Sequence, residues 1–85
     1  MIITMSEKRN LRTEPLYHVN LFWSEEDSCW IADVPDLKPC SAHGDTRSEA
    51  IANINDAIKG WLDVARERGF VIPEPRYRPA IYAVR

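Results

Sequence analysis

The sequence predicts a small α+β domain in which an antiparallel sheet packs on one helix, in the order β-β-β-α-β. Two runs within residues 17–34 alternate apolar and polar side chains, as strands with one buried face do. Residues 46–69 carry an apolar stripe at helical spacing between a start signal and a stop signal. A sheet and a helix that each have one apolar face bury those faces against each other, which gives two layers.

The first two strands are predicted to form a hairpin around the acidic turn at residues 24–27. If Trp23 lies opposite Ser28, one face of the hairpin is wholly apolar, and a one-residue slip would spoil it. The same pairing sets His18 opposite Asp33 on the outer face. We therefore expect a four-residue loop and a His18–Asp33 pair across the strands.

Residues 35–39 contain two prolines, which remove backbone donors, so a turn or bulge is expected there. A short third strand follows over residues 40–43 and stops at the turn formed by Gly44 and Asp45. Near the C-terminus, residues 80–84 are expected to form a fourth strand, on their own sheet or on the edge of a neighbour's.

The helix is the best-defined element of the sequence. Thr46 is its predicted N-cap, and Glu49 completes a capping box by reaching back to the backbone N–H of the cap. Gly69 is placed to end the helix at the C′ position. Residues 70–72 are expected to pack back under it. The predicted core stripe consists of Ala50, Ile51, Ile54, Ala57, Ile58, Trp61, Leu62 and Ala65.

Charge and composition exclude several classes of protein. The net charge is −2 and no basic stripe is visible, so DNA binding by this chain alone is not expected. With no apolar run of about 20 residues and no secretory signal, we expect a soluble cytoplasmic protein. Two cysteines indicate reduced thiols. A chain this short buries only about 60–65% of its surface, so a dimer or tetramer is expected.

Three residues of the stretch HGDTRSEAI could serve acid–base chemistry: His43, Asp45 and Glu49. Each already has a simpler role, since His43 ends a strand, Asp45 favours a turn and Glu49 caps the helix. We therefore interpret Gly44, Asp45, Thr46 and Glu49 as a structural turn and helix cap.

A metal site is also not expected. A two-metal nuclease needs carboxylates that hold ions about 4 Å apart, but Asp33 should face away from the helix and Asp36 lies in a turn. The cysteines and histidines lack the paired spacing typical of structural zinc. We predict no catalytic residue, metal or cofactor; a residual metal-dependent nuclease is the enzymatic alternative.

Trp23 is the best candidate for an exposed binding residue. It ends a strand beside Glu25, Glu26 and Asp27, and an aromatic side chain bordered by charge is typical of interfaces. An acidic tip would attract a basic protein. A solvated hairpin tip without a partner is the open alternative.

In the tail, Tyr77 and Tyr82 alternate with arginines, a pattern also seen in proteins that bind single-stranded nucleic acid. The prolines of this segment and the acidic balance of the chain favour an arm that docks on protein instead.

Taken together, the acidic hairpin SEEDSCWIADVPDL, the turn GDT, the helix RSEAIANINDAIKGWL and the tail GFVIPEP resemble the HicB family of antitoxins over residues 17–75. One position differs, because members usually have a glycine where this chain has Pro39. The resemblance implies a partial RNase H-like fold and a partner toxin, HicA, which is a small mRNA-cleaving ribonuclease.

The resemblance implies a non-enzymatic antitoxin that masks the active and RNA-binding surface of a HicA-like toxin. We expect a flexible lead at residues 1–15, the HicB-like domain at 16–75, and an arm or edge strand at 76–85. Because only residues 76–85 follow the resembling region, we do not expect the C-terminal DNA-binding domain that many members carry. An orphan self-associating domain without a toxin is a further alternative.

Overall fold

The computed structural model describes residues 15–79, which contain a three-stranded antiparallel sheet and one helix. In chain order the elements are β1 (Asn20–Ser24), β2 (Cys29–Asp33), β3 (Ser41–Gly44) and α1 (Arg47–Arg68). The strand order is β1-β2-β3, so β1 and β3 are the two edges of the described sheet. The predicted α+β class is confirmed. The strand predicted at residues 80–84 and most of the predicted lead lie outside the described residues.

The hairpin register differs from the predicted one by two residues. Trp23 lies opposite Trp30, not Ser28, and Asp33 lies opposite Asn20, not His18. Ser28 has a φ of 51°, in the left-handed region that a strand residue avoids, and it therefore belongs to the turn. The predicted His18–Asp33 pair is wrong.

A two-residue shift leaves each side chain on its predicted face, because side chains alternate with a period of two. Ala32 and Val34 of the inner face have no exposed surface, and Leu21 and Trp30 pack against the same core. The loop keeps its predicted length of four residues and begins one residue later, at Glu25.

The turn after β2 contributes a core residue that the sequence pattern did not predict. Two backbone hydrogen bonds close it, from Val34 N–H to the Cys40 carbonyl at 3.0 Å and from Leu37 N–H to the Val34 carbonyl at 3.1 Å. Leu37 is fully buried beside Ile54 and Leu62 of the helix. This turn therefore contributes Leu37 to the core between the sheet and the helix.

The predicted helix ends are confirmed, with one change of hydrogen-bond partner. Thr46 Oγ1 accepts the Glu49 N–H at 3.1 Å, whereas the Glu49 carboxylate accepts from the N–H of Asp45 and not of Thr46. At the other end Gly69 has a φ of 73°. Its N–H and that of Phe70 bond to the Arg66 and Ala65 carbonyls, which is a Schellman motif. Of the predicted stripe, Ala50, Ile54, Ile58, Leu62 and Ala65 are buried.

The first turn of α1 packs directly on β3 at Gly44. A Cβ at this position would lie 2.5 Å from the backbone nitrogen of Ala50 and 2.8 Å from the carbonyl carbon of Glu49. Only glycine allows so close an approach. One helical turn further on, the Asn53 amide donates to the His43 carbonyl at 2.8 Å. These two contacts fix the helix over β3.

Residues 70–79 follow the helix without regular secondary structure. Ile72 packs against the core, but Phe70 and Val71 are 56% and 87% exposed. The expectation that all three residues pack under the helix is therefore wrong for two of them. The Schellman turn directs the chain away from the helix before Ile72 can return to the core.

Candidate protein-binding surface

The β1–β2 turn and the start of α1 lie at the same end of the molecule, which we call the acidic end. Trp30 pairs with Trp23 in β1 and with Gly44 in β3, so the last residues before the helix lie beside the hairpin. Asp27 and Asp45 line one shallow depression between them. The acidic end therefore comprises the hairpin residues Trp23, Glu25, Glu26 and Asp27 together with Asp45 and Glu49.

Trp23 is 43% exposed at this end and is held in place by two contacts. Its ring meets Trp30 edge to face, with ring centroids 5.6 Å apart. Its indole N–H donates to the Glu25 carboxylate at 3.2 Å. On the helix side, the Arg47 guanidinium covers the Trp30 ring at 4.2 Å from its centroid. An exposed aromatic ring on a rigid support is well suited to binding another protein.

The turn itself is ordered by short-range hydrogen bonds. Ser24 Oγ donates to the Asp27 carboxylate and accepts the Asp27 backbone N–H, each at 3.2 Å. These bonds hold the acidic side chains on a fixed loop. A preorganised loop loses less conformational entropy on binding than a mobile one.

Negative charge at the acidic end is not neutralised by ion pairs within the described part of the chain. Across residues 15–79 the one salt bridge joins Arg66 and Asp63 on the helix surface, at 3.7 Å. Arg47, in the first turn of α1, stacks on Trp30. Glu25, Glu26 and Asp27 therefore present their charge to solvent beside Trp23.

The structure separates Tyr77 from this surface. Its backbone N–H donates to the Asp36 carboxylate at 3.1 and 3.2 Å, and its ring centroid lies 4.9 Å from that of His18. His18 and Asp36 precede β1 and follow β2, at the end of the hairpin opposite its turn. The Tyr17 hydroxyl also donates to the Pro73 carbonyl. Tyr77 thus lies in an arm docked on its own chain, and Tyr82 lies outside the described residues.

Most of the residues considered for catalysis have structural contacts, and His43 and Asp45 line the same depression as Asp27. His43 accepts the Asn53 amide through its backbone carbonyl, and Glu49 accepts the N–H of Asp45. Asp36 accepts the backbone N–H of Arg76. Asp33 is the last residue of the central strand, β2, and lies opposite Asn20. Residues 15–79 contain no group of three or more His, Cys, Asp or Glu side chains placed to hold a metal ion.

Both cysteines are reduced and buried. Burial, and then the charges of Asp27 and Asp45, raise the pKa of the Cys29 thiol. Burial, with a smaller contribution from Asp33, raises the pKa of the Cys40 thiol. A raised pKa reduces the thiolate fraction, and with it nucleophilic reactivity.

Sequence reasoning missed several residues that shape this surface. Arg47 was assigned no role, although a helix that starts beside a strand tryptophan could have suggested a cation–π contact. Asn53 is a polar residue at the margin of the apolar stripe, a position that often marks a side-chain bond to a neighbouring strand. The attachment of residues 76–77 to Asp36 has no local sequence signal, because about 40 residues separate them.

Two of three comparisons relate the chain to known proteins. A family model described as the HicB-like antitoxin of bacterial toxin–antitoxin systems matches residues 17–81. A UPF0150 protein of Thermoplasma acidophilum is 33% identical over 49 residues, which make up 58% of this chain and 71% of that protein. No solved structure matches the chain. Within residues 15–79, the structure contains no helix that is both long enough and apolar enough to cross a membrane.

Proposed function

Because the chain belongs to the HicB-like antitoxin family of bacterial toxin–antitoxin systems, we propose that it neutralises a HicA-type toxin by binding it. The toxin implied by the family resemblance is a small ribonuclease that cleaves mRNA. In this proposal the antitoxin covers the active site and the RNA-binding surface of the toxin. It acts in the cytoplasm, where the mRNA is.

The acidic end is the observation that carries the proposal. Glu25, Glu26 and Asp27 stand on an ordered turn next to the half-exposed Trp23. A ribonuclease must attract phosphate, so its RNA-binding surface carries positive charge. Carboxylates at fixed positions compete with phosphate for that surface and accelerate the encounter of the two proteins.

Trp23 supplies the apolar part of the proposed contact. Large aromatic side chains contribute most of the binding energy at many interfaces, where a charged rim surrounds them. Trp30 and Glu25 already hold the ring in one orientation. The ring therefore enters an interface with little further loss of side-chain entropy.

The proposed role uses no catalytic group and no cofactor of this chain. Masking requires only that the antitoxin occupy the surface that RNA would otherwise contact. Residues 80–84 are proposed to add the fourth strand of the RNase H-like arrangement that the family resemblance implies. On this view the fold serves as a scaffold for binding.

Charge reversal at the hairpin turn tests the proposal. The adjacent reading frame is co-expressed as the toxin, and its affinity is measured with Glu25, Glu26 and Asp27 all changed to Lys. We expect a loss of affinity of at least tenfold and a weaker dependence of affinity on salt, because favourable charge contacts become repulsive. mRNA cleavage in the presence of the variant should recover.

A matched control changes Asp63, Glu67 and Glu74 to Lys. Each variant loses three negative charges and gains three positive ones, so each net charge rises from −2 to +4. If affinity depends on where the charges lie, and not only on the net charge, the control should bind the toxin as tightly as the natural chain does. If the hairpin variant and the natural chain bind the toxin with equal affinity, the acidic end is not part of the interface.

A further inference from the structure

Residues 73–79 form the described part of the arm, and they are attached to the rest of the chain largely through their backbone. The N–H groups of Arg76 and Tyr77 both donate to the Asp36 carboxylate, at 3.1 to 3.2 Å. Arg76, Tyr77 and Arg78 are nevertheless exposed. The arm therefore holds two guanidinium groups and an aromatic ring at a fixed place on the surface.

This attachment leaves little backbone for a strand of another protein to pair with. The three prolines of residues 73–79 have no N–H, and the N–H groups of Arg76 and Tyr77 are already bonded to Asp36. An added strand would find a hydrogen-bond donor only at Glu74 and Arg78. Because strand addition depends on main-chain hydrogen bonds, a partner of this segment must be recognised by its side chains.

The exposed side chains are of the types that bind single-stranded nucleic acid. Proteins that do so combine positive charge along the phosphate backbone with aromatic rings on which bases stack. Arg76 and Arg78 flank Tyr77, and within residues 15–79 neither of these arginines forms an ion pair. A guanidinium group binds phosphate oxygens through strong, charge-assisted hydrogen bonds. Both charges are therefore available to phosphate.

The ring of Tyr77 is supported from within the chain. Its centroid lies 4.9 Å from that of the His18 ring, with the two planes tilted by 49°. The His18 ring is held in turn by a hydrogen bond between its Nε2 and Asn20 Oδ1, at 2.7 Å. Tyr77 is still 41% exposed. A supported ring can stack on a base with little further loss of side-chain entropy.

Positive charge also accumulates around this segment. Between residues 66 and 78, four arginines outnumber two glutamates. Burial and the charge of Asp36 raise the pKa of Tyr17, whereas the charge of Arg66 lowers it. Arg66 therefore lies near the Tyr17 hydroxyl, which donates to the Pro73 carbonyl. The negative charge of the acidic end thus does not extend to the opposite end, where the arm is attached.

We propose that the arm binds single-stranded nucleic acid, with Arg76 and Arg78 on phosphates and a base stacked on Tyr77. The site lies at the end of the sheet opposite the acidic end, so the proposal does not depend on the toxin. RNA and DNA strands share the phosphates and base faces that such a site contacts, and the test compares the two. RNA bound here would hold the chain close to the substrate of the proposed toxin.

The test is the binding of labelled strands of about 12 nucleotides, measured by fluorescence anisotropy at about 50 mM salt. The natural chain should bind a single strand at least about fivefold more tightly than the duplex of the same sequence, because paired bases cannot stack on Tyr77. Attraction to charge alone would favour the duplex, which carries more phosphate per unit length. Binding of RNA, of DNA or of both supports the proposal and identifies the strand.

Substitutions separate stacking from charge. Tyr77→Ala should weaken binding at least about fivefold, whereas Tyr77→Phe keeps the ring and should bind as the natural chain does. Arg76→Gln and Arg78→Gln should each reduce the slope of log affinity against log salt by about 0.7, the value for one phosphate contact on a single strand. Lys59→Gln removes the same charge from the middle of α1 and is the matched control, with affinity and slope unchanged. Every variant should retain the helical circular dichroism of the natural chain.

Three observations would each show the proposal to be wrong. They are the absence of binding to any single strand at low salt, a duplex bound as tightly as the single strand, and a Tyr77→Ala variant with unchanged affinity. If no strand binds and Arg76→Gln or Arg78→Gln instead weakens the binding of the toxin, the arm contacts protein and not nucleic acid.

Discussion

Asp36 and Tyr77 are joined across 41 residues of chain by a backbone N–H that reaches both oxygens of one carboxylate, at 3.2 and 3.1 Å. The Arg76 N–H reaches the same carboxylate at 3.1 Å. With the Tyr17 hydroxyl on the Pro73 carbonyl, these bonds hold the arm beside the start of β1. The described chain thus returns to the end of the sheet opposite the acidic end.

Asp36→Asn should loosen the arm. An amide offers one acceptor oxygen where the carboxylate offers two, and it lacks the negative charge that strengthens these bonds. We expect hydrogen exchange at the Arg76 and Tyr77 amides to accelerate roughly tenfold, which corresponds to about 1.4 kcal/mol. Asp56→Asn, on the exposed face of the helix, should leave both amides unchanged. Unaltered exchange in Asp36→Asn would mean that other contacts hold the arm.

Gly44→Ala should be strongly destabilising. The added Cβ would lie 2.5 Å from the Ala50 backbone nitrogen, and a backbone atom cannot move aside as a flexible side chain can. We expect a loss of roughly 2–3 kcal/mol in the free energy of unfolding, measured by urea denaturation. Ser41→Ala on the same strand should change it by less than about 0.5 kcal/mol. Equal stabilities of the two variants would contradict the close packing of helix on strand.

Thr46→Ala should lower the free energy of unfolding by about 1 kcal/mol. The substitution removes the hydroxyl that accepts the Glu49 N–H at 3.1 Å and leaves that donor without its partner. Thr46→Ser keeps the hydroxyl and should retain most of the stability. Affinity for the toxin should be unchanged in both. A loss of activity at normal stability would instead assign this turn a chemical role.

Stability should fall at alkaline pH because the native state keeps its thiol protons longer than the unfolded state. Burial raises the pKa of the Cys29 and Cys40 thiols in the folded protein. As the pH rises above about 8.5, unfolded thiols ionise first, which stabilises the unfolded state. Below that pH both states are protonated, and this contribution is constant.

The urea midpoint at pH 9.5 should therefore be lower than at pH 7. A variant with both Cys29→Ala and Cys40→Ala should lose less on the same change of pH. Burial also raises the pKa of Tyr17, with a further contribution from Asp36, so part of the fall above about pH 10 should persist in that variant. A midpoint that rises with pH would contradict the buried state of the thiols.

Much of the fold followed from local patterns in the sequence. The alternation in the hairpin established which side chains face the helix, and the signals at Thr46 and Gly69 located the helix to within a residue. The predicted register of the hairpin was wrong by two residues. Because side chains alternate with a period of two, the pattern is the same whether Trp23 pairs with Ser28 or with Trp30. Only the backbone conformation of Ser28, with its φ of 51°, decides between them.

Part of the candidate site could also be predicted from local patterns in the sequence. Trp23 and the acidic residues beside it follow one another in the chain, so their proximity could be predicted from the hairpin alone. Tyr77 was also predicted to dock on protein, but the structure places it at the opposite end of the hairpin from Trp23, against His18. Residue type indicates what a side chain can do, whereas its location depends on contacts between distant segments.

By itself the sequence determined the three strands and the helix of the described residues, the faces they bury and the two ends of the helix, because these depend on interactions within a few residues along the chain. Tertiary structure alone decided the attachment of residues 76–77 to Asp36, the burial of Leu37 and the tight contact at Gly44. Each of these results from packing between segments far apart in sequence. Such packing is selected by the shape and polarity of the whole core and has no local signal.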